Sequence, residues 1–140
     1  MFIHKKSFVE CATELKQFCL EWQADFWSFS ELQNSSQTST LRFYLCTMEN
    51  ALAAVGILKD DLDSSDLLFI FTKDEYRRNG FAENIIMSMV IDFQNIFLEV
   101  KSTNAPAIKL YEKLGFKHTL TRPRYYKTGE DAKVYCLSQF

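Results

Sequence analysis

Residues Leu67–Val90 read LLFIFTKDEYRRNGFAENIIMSMV, and the pattern changes character part-way along. Leu67-Leu68-Phe69-Ile70-Phe71 is an unbroken apolar run, as expected of a central strand buried on both faces. After Gly80, the apolar residues Phe81, Ile85, Ile86, Met89, Val90 and Phe93 fall at helical spacing instead. Ile96–Val100 is again short and apolar, so the segment predicts a strand–helix–strand unit. A helix N-terminus leaves backbone N–H groups unpaired and carries a partial positive charge, which suits a pyrophosphate. Gly80 lets the backbone approach such a group closely, and Ala82 adds little bulk. On spacing alone, an exposed strand-to-helix turn carrying an arginine pair explains the same residues equally well.

Working toward the N-terminus, Lys59–Asp66 reads as a solvated acidic turn, and Leu41–Thr47 and Leu52–Leu58 as strands around a hairpin turn at Met48-Glu49-Asn50. Asn34–Thr40 is polar and lacks periodicity, which predicts a loop. Ser7-Phe8-Val9-Glu10 has the form of a capping box. Phe8, Cys11, Ala12, Leu15, Phe18, Cys19 and Trp22 then mark one helical face. Ser28-Phe29-Ser30-Glu31 repeats the capping signal and opens a second, shorter helix after the aromatic connection Ala24–Trp27.

Working toward the C-terminus, Ser102, Thr103 or Asn104 can cap a helix that tolerates Pro106 in its first turn. Gly115 fits the position past its end, where a left-handed backbone is needed. Phe116–Thr121 and Val134–Leu137 close the chain as two strands, with Gly129 in the turn between them. The predicted order is two helices, three strands, helix, strand, helix, two strands: a mixed α/β fold in one domain over residues 1–140.

The bulk numbers exclude more than they assign. Lys plus Arg is 16 against 18 Asp plus Glu, a net charge of -2, which argues against nucleic acid as a direct partner. Cys11, Cys19, Cys46 and Cys136 form no C-x-x-C pair and the histidines His4 and His118 lie far apart, so no metal site is expected. The cysteines read as small buried residues in a reducing compartment. No apolar run approaches the ~20 residues of a membrane span. Met1–Ser7 has no leader-like apolar stretch, and the expectation is a cytoplasmic protein.

Three segments carry a family resemblance. Arg77-x-x-Gly80-x-Ala82 resembles the acyl-CoA loop of the GNAT superfamily of N-acetyltransferases. That resemblance implies acetyl-CoA as co-substrate, held by the loop residues Arg78, Asn79, Gly80, Phe81, Ala82 and Glu83. It also implies that the strand end Ile70-Phe71-Thr72 pairs with the pantetheine amides. Two positions depart from the usual pattern: Ala82 replaces the commoner glycine, and Glu83 sets a carboxylate beside the expected pyrophosphate. Second, Leu98-Glu99-Val100 through Asn104, Ala107, Leu110-Tyr111 and Gly115-Phe116 resembles the LEVxxxNxxAxxLYxxxGF stretch of the protein N-terminal acetyltransferases. The branch that acts on ribosomal-protein alanine is the nearest in pattern. The resemblance implies Glu99 as general base, Tyr111 as general acid and Asn104 as a cofactor contact. Third, Tyr125-Tyr126 with Gly129-Glu130-Asp131-Ala132 resembles the hairpin whose tyrosines line the peptide channel in that family. Phe26-Trp27-Ser28 resembles the opposite wall, with Trp27 implied as a substrate contact.

The resemblance therefore implies a GNAT-like, mostly antiparallel sheet with helices on both faces. Its implied activity is acetyl-CoA-dependent Nα-acetylation of a protein N-terminus, such as a ribosomal protein beginning with alanine. The residue types suit the reaction. Amine attack on a thioester needs a neutral amine, so a carboxylate can take its proton, and a phenol can protonate the departing thiolate. Neither a metal nor a covalent intermediate is required. Two other readings stay open on sequence alone: acetylation of a small-molecule amine on the same fold, and a non-catalytic acyl-CoA-binding module.

Overall fold

A computed structural model describes residues 2–21, 28–61 and 64–138. Trp22, on the predicted helical face, and Phe26 and Trp27, on the predicted channel wall, lie outside the described residues. The elements are β1 (Phe2–Lys6), α1 (Phe8–Glu21), α2 (Phe29–Thr38), β2 (Leu41–Met48), β3 (Ala51–Asp60), β4 (Ser65–Thr72), α3 (Phe81–Asp92), β5 (Asn95–Lys101), α4 (Ala105–Lys113), β6 (Lys117–Arg122) and β7 (Ala132–Ser138). The strands form one seven-stranded sheet in the order β1-β2-β3-β4-β5-β7-β6. Every neighbouring pair is antiparallel except β4 with β5.

The alternation of side chains along the strands divides the apolar residues between two layers. Phe43, Leu45, Val55 and Ile57 turn to one face and pack with Cys11, Leu15, Phe18 and Leu32 of α1 and α2. Tyr44, Cys46, Ala54 and Leu58 turn to the other and pack with Phe81, Ile85, Ile86 and Met89 of α3 and Tyr111 of α4. Gly56 sets the distance of closest approach on that second face. A Cβ there would stand 2.5 Å from Ile85 Cγ2 and 2.7 Å from Met89 Cε, so α3 rests directly on the β3 backbone.

Local chemistry accounts for the boundaries. Ser7 and Glu10 make the reciprocal capping bonds, at 3.4 and 3.0 Å, and Ser28 and Glu31 repeat them at 3.1 and 3.4 Å. The two-residue turn between β2 and β3 has φ of 52° at Glu49 and 64° at Asn50, the left-handed pair that matches the twist of a hairpin.

Four expectations need correction. The fold begins with a strand, β1, ahead of the first predicted helix. This five-residue edge strand pairs with β2, and it is too short and too charged to show as a pattern. The polar stretch expected as a loop is helical as far as Thr38, because a well-capped start carries the helix and Ser36 and Thr38 hydrogen-bond back to Gln33 and Ser35. The acidic turn is shorter than expected, since β3 runs to Asp60 and β4 already begins at Ser65, which makes Asp66 a strand residue. Finally, Leu67 is buried but Leu68–Phe71 are only half-buried. Ladder pairing with β5 covers Ser65, Asp66 and Leu67 alone, and beyond that point the two parallel strands part.

Candidate active site

The parting of β4 and β5 builds the site. A groove of about 660 Å³ runs along one side of the opening. It is lined by Ile70, Phe71 and Thr72 of β4, by Tyr76, Arg77, Arg78, Gly80, Phe81, Ala82 and Glu83, and by Asn104, Ala107, Leu110 and Tyr111 of α4 and its cap. Every residue expected at the cofactor lines it except Asn79. The Asn79 side chain instead folds back, donating to the carbonyls of Tyr76 and Arg77 at 3.0 and 3.2 Å, and so braces the turn.

The backbone of that turn is left-handed at two positions, Arg78 with φ of 68° and Gly80 with φ of 76°. Gly80 is the N-cap of α3 and offers no side chain to seal it. The first helical bond in this helix is Asn84 N–H to Gly80 C=O at 3.0 Å, which leaves the N–H groups of Phe81, Ala82 and Glu83 to other acceptors. Arg77 is tied to Asp74 at 3.0 Å, whereas Arg78 makes no ion pair among the described residues. Glu83, the residue that fits an anion site least, is paired with Lys113 of α4 at 3.2 Å. The ion pair neutralises the carboxylate locally and bridges the helices on either side of the groove.

On the far side of the opening the groove continues between β4 and β5, lined by Leu67–Ile70, Leu98–Lys101, Asn104, Tyr111 and Tyr126. It widens into an outer chamber that includes Lys59, Ser64, Asp66, Glu99, Arg122, Tyr125 and Tyr126. Tyr111 and Asn104 thus line both the first groove and the gap, and Glu99 and Tyr126 line both the gap and the outer chamber. Along β4, Ile57 of β3 pairs with Phe69 and Leu58 with Leu67, so Leu68 is the extra residue of a bulge beside the gap.

Tyr111 is placed by its own helix ending. Phe116 N–H donates to Tyr111 C=O at 3.0 Å and Gly115 N–H donates to Glu112 C=O at 3.1 Å. These are the two bonds of a Schellman motif, with Gly115 at φ 99°. The accompanying apolar contact is the Tyr111–Phe116 ring pair, with centroids 5.8 Å apart. The spacing of Tyr111, Gly115 and Phe116 in sequence is therefore the spacing of one C-cap. Burial pushes the Tyr111 phenol up to about 12. Its hydroxyl makes no hydrogen bond to a described residue, unlike that of Tyr44, which donates to Asp92 at 2.8 Å. A buried phenol left without a partner calls for one from outside the chain.

Asn104 is the N-cap of α4, its Oδ1 accepting from Ala107 N–H at 3.3 Å, with Pro106 in the first turn. Glu99 projects from β5 to the face opposite Leu98 and Val100. Arg122 of β6 donates through Nε to Glu99 Oε1 at 3.1 Å. Reading along the chain misses this partner, because a pairing across two strands leaves no spacing to read. Tyr126 is half-buried, its ring 5.2 Å from the Lys101 ammonium and 5.2 Å from the Tyr125 ring. Burial, and then the negative charge of Glu99, push its phenol up as well. Tyr125 is 53% exposed at the rim.

Comparison with known proteins gives the family. Residues 45–125 match the family model described as FR47-like protein. The chain is 31% identical over 119 residues to the [ribosomal protein bS18]-alanine N-acetyltransferase of Escherichia coli K12, covering 79% of this chain and 80% of that one. This chain belongs to the GNAT superfamily of N-acetyltransferases. The crystal structure of the Escherichia coli ribosomal-protein-S18-alanine N-acetyltransferase superposes on this GNAT chain with a TM-score of 0.75 at 25% identity, covering 98% of this chain and 94% of that one. A GNAT family acetyltransferase from Elizabethkingia anophelis, solved with acetyl-CoA bound, superposes with a TM-score of 0.75 at 13% identity, covering 98% and 97%. At that identity the likeness is one of fold. Among the described residues of this N-acetyltransferase, no helix is long and apolar enough to cross a membrane.

Proposed function

We propose that this enzyme transfers the acetyl group of acetyl-CoA to the α-amine of a protein N-terminus, in a ternary complex. The observation that carries the reading is the unpartnered Tyr111 hydroxyl, buried where the cofactor groove opens into the gap that also holds Glu99. The pyrophosphate lies against the uncapped start of α3, and the pantetheine extends along Ile70–Thr72. The thioester then reaches the gap beside Tyr111. Glu99 takes a proton from the incoming ammonium, directly or through water, with Oε2 available because Arg122 holds Oε1. The neutral amine attacks the thioester carbonyl, the C–S bond breaks as Tyr111 donates its proton to the departing thiolate, the new amide nitrogen passes its excess proton through water to the Tyr111 phenolate, and Glu99 releases its proton to solvent. An acid–base role of this kind is worth roughly 10²–10⁴ in rate.

Three considerations favour a polypeptide acceptor over a small amine. A relative that matches along most of the chain is named [ribosomal protein bS18]-alanine N-acetyltransferase, and the acceptor we assign is a ribosomal protein starting with alanine. The outer chamber is open and rimmed by Tyr125 and Tyr126, which gives an extended chain a wall to lie on. An α-amine, with a pKa near 7.7–8.0, is about a tenth neutral at pH 7, so a carboxylate paired with arginine is base enough. The Glu83–Lys113 pair removes the motive for a binding-only module, because the carboxylate is compensated.

The test is Tyr111→Phe, assayed on peptides beginning with alanine. We expect kcat to fall by roughly 10²-fold or more while acetyl-CoA binding, measured by calorimetry, stays within about twofold. Unchanged kcat would remove Tyr111 from the chemistry. A wild-type enzyme that acetylates polyamines but no peptide would overturn the acceptor assignment.

A further inference from the structure

Beyond Leu67, β3 is the only ladder neighbour of β4 among the described residues, with Gly56 across from Ile70, Val55 from Phe71 and Ala54 from Thr72. The free end of the strand is nevertheless held, by the residue that follows it. Lys73 N–H donates to Ala53 C=O at 2.9 Å, and Lys73 C=O accepts from Tyr76 N–H at 2.9 Å, so the short turn Asp74–Tyr76 starts from Lys73. Side chains alternate along the strand: Ile70 packs with the α3–α4 layer, Phe69 and Phe71 with the α1–α2 layer. The Lys73 side chain reaches the second layer too. Its Nζ donates to Glu21 Oε2 at 2.8 Å and stands 6.0 Å from the Phe18 ring centroid. Gln17 Nε2 donates to the other carboxylate oxygen of Glu21 at 3.0 Å.

This ion pair differs from the others in the molecule. The Lys73 side chain is 12% exposed, whereas every other cation of an ion pair among the described residues is at least 32% exposed. Glu21 is the last residue of α1, where a carboxylate adds to the negative end of the helix dipole. Hydrogen bonds from Gln17 and Lys73 nonetheless hold its carboxyl below the usual carboxylate range. Phe18 and Leu52 line the same hollow, so an apolar side chain in place of Lys73 would fit there without the cost of desolvating a charge. What the ammonium adds over such a side chain is direction: it holds the end of β4 to one point on α1.

The two parts of the groove proposed for acetyl-CoA lie on either side of Lys73 in the chain. Ile70–Thr72 precede it, on the side assigned to the pantetheine, and Arg78–Glu83 follow it, on the side assigned to the pyrophosphate. The turn keeps its own shape, through Arg77 N–H to Asp74 C=O at 3.2 Å and through the Asn79 bonds to the carbonyls of Tyr76 and Arg77. Its placement relative to the strand has Lys73 at its start. We propose that Lys73, through its ion pair with Glu21, is a positioning residue that sets the offset between the strand end and the turn, so that one molecule of acetyl-CoA engages both at once. The assignment rests on the acetyl-CoA reading of the groove and adds to it the residue that aligns its two halves.

The experiment uses the purified enzyme, a peptide beginning with alanine, acetyl-CoA as donor, and two fragments of the donor as competitors: pantetheine, which meets only the strand end, and ADP, which meets only the turn. A ligand that spans two sites loses its advantage when their spacing is no longer fixed, and a fragment does not. For Lys73→Met, KM for acetyl-CoA should rise roughly tenfold with kcat within about twofold, while the Ki of each fragment stays within about twofold of wild type. Glu21→Gln should give a smaller rise of the same kind, and it carries the same criteria should Lys73→Met not fold. The exchange Lys73→Glu with Glu21→Lys should bring KM back to within about threefold of wild type. A folded Lys73→Met with unchanged KM overturns the proposal and leaves the pair to stability alone. Fragments weakened as much as acetyl-CoA overturn it too, by moving the effect to the strand or the turn itself. A wild type that neither fragment inhibits overturns the placement of the cofactor in this groove, and the role of Lys73 with it.

Discussion

Two helices border the groove proposed for the cofactor, and they begin in opposite ways. α4 starts at Asn104, whose side chain accepts from the Ala107 N–H. α3 starts at Gly80 in a left-handed conformation, with no side chain to close the end. α2, away from the groove, is sealed twice over by Ser28 and Glu31. The contrast teaches what distinguishes a structural helix start from a binding one. Sequences ordinarily satisfy the orphan N–H groups from within, and where they do not, the unsatisfied groups are available to a ligand. Asn104 sits between the extremes: it closes its helix yet lines both the groove and the gap.

The sharpest way to break this comparison is to seal α3. Gly80→Asp puts a Cβ at φ 76° and a capping carboxylate where the pyrophosphate should lie. Acetyl-CoA affinity should drop roughly 100-fold by calorimetry, about 2.7 kcal/mol. Retained affinity would mean that the phosphates bind elsewhere. Unsealing α4 is the converse. Asn104→Ala should cost about 1 kcal/mol in denaturant unfolding and raise the acetyl-CoA Kd a few-fold, because this cap also faces the groove. Unsealing α2 by Ser28→Ala should cost a similar ~1 kcal/mol and leave the acetyl-CoA Kd untouched. Matched effects of these two variants on the cofactor would erase the distinction between a structural cap and a groove-lining one. The smallest change belongs to Glu83→Gln, which removes a carboxylate from the groove and frees Lys113. The Kd should tighten two- to threefold at low salt and return to the wild-type value at high salt.

Most of this contrast is legible in the amino-acid sequence, for identifiable reasons. Caps, left-handed glycines and helical periodicity are local, so Ser28, Asn104, Gly115 and the strand–helix–strand unit can be read along the chain. Leu67–Phe71 shows where such reading stops. An apolar run predicts burial on both faces, but how far a strand is covered depends on where its neighbour departs, and β5 departs after three paired residues. The half-burial of Leu68–Phe71 is a property of two strands, and neither strand states it alone. The same limit hides Arg122 behind Glu99 and Lys113 behind Glu83, since partners brought together across the fold have no spacing in sequence. Asp66 is concealed differently, among the acidic residues of a turn that it does not in fact occupy.

The short contact between β4 and β5 has a mechanical side. Ser65–Leu67 against Ile96–Leu98 is the whole ladder between a four-strand half-sheet, β1 to β4, and a three-strand half-sheet, β5 to β7. Whatever fills the opening touches both halves, with β4 on one side and α4 on the other. A cofactor held there, as proposed, would act as a rivet as well as a reactant. Pulled apart across the seam, the loaded molecule should yield at a higher force than the empty one, and the difference would measure how much of the sheet's cohesion the chain has delegated to its ligand.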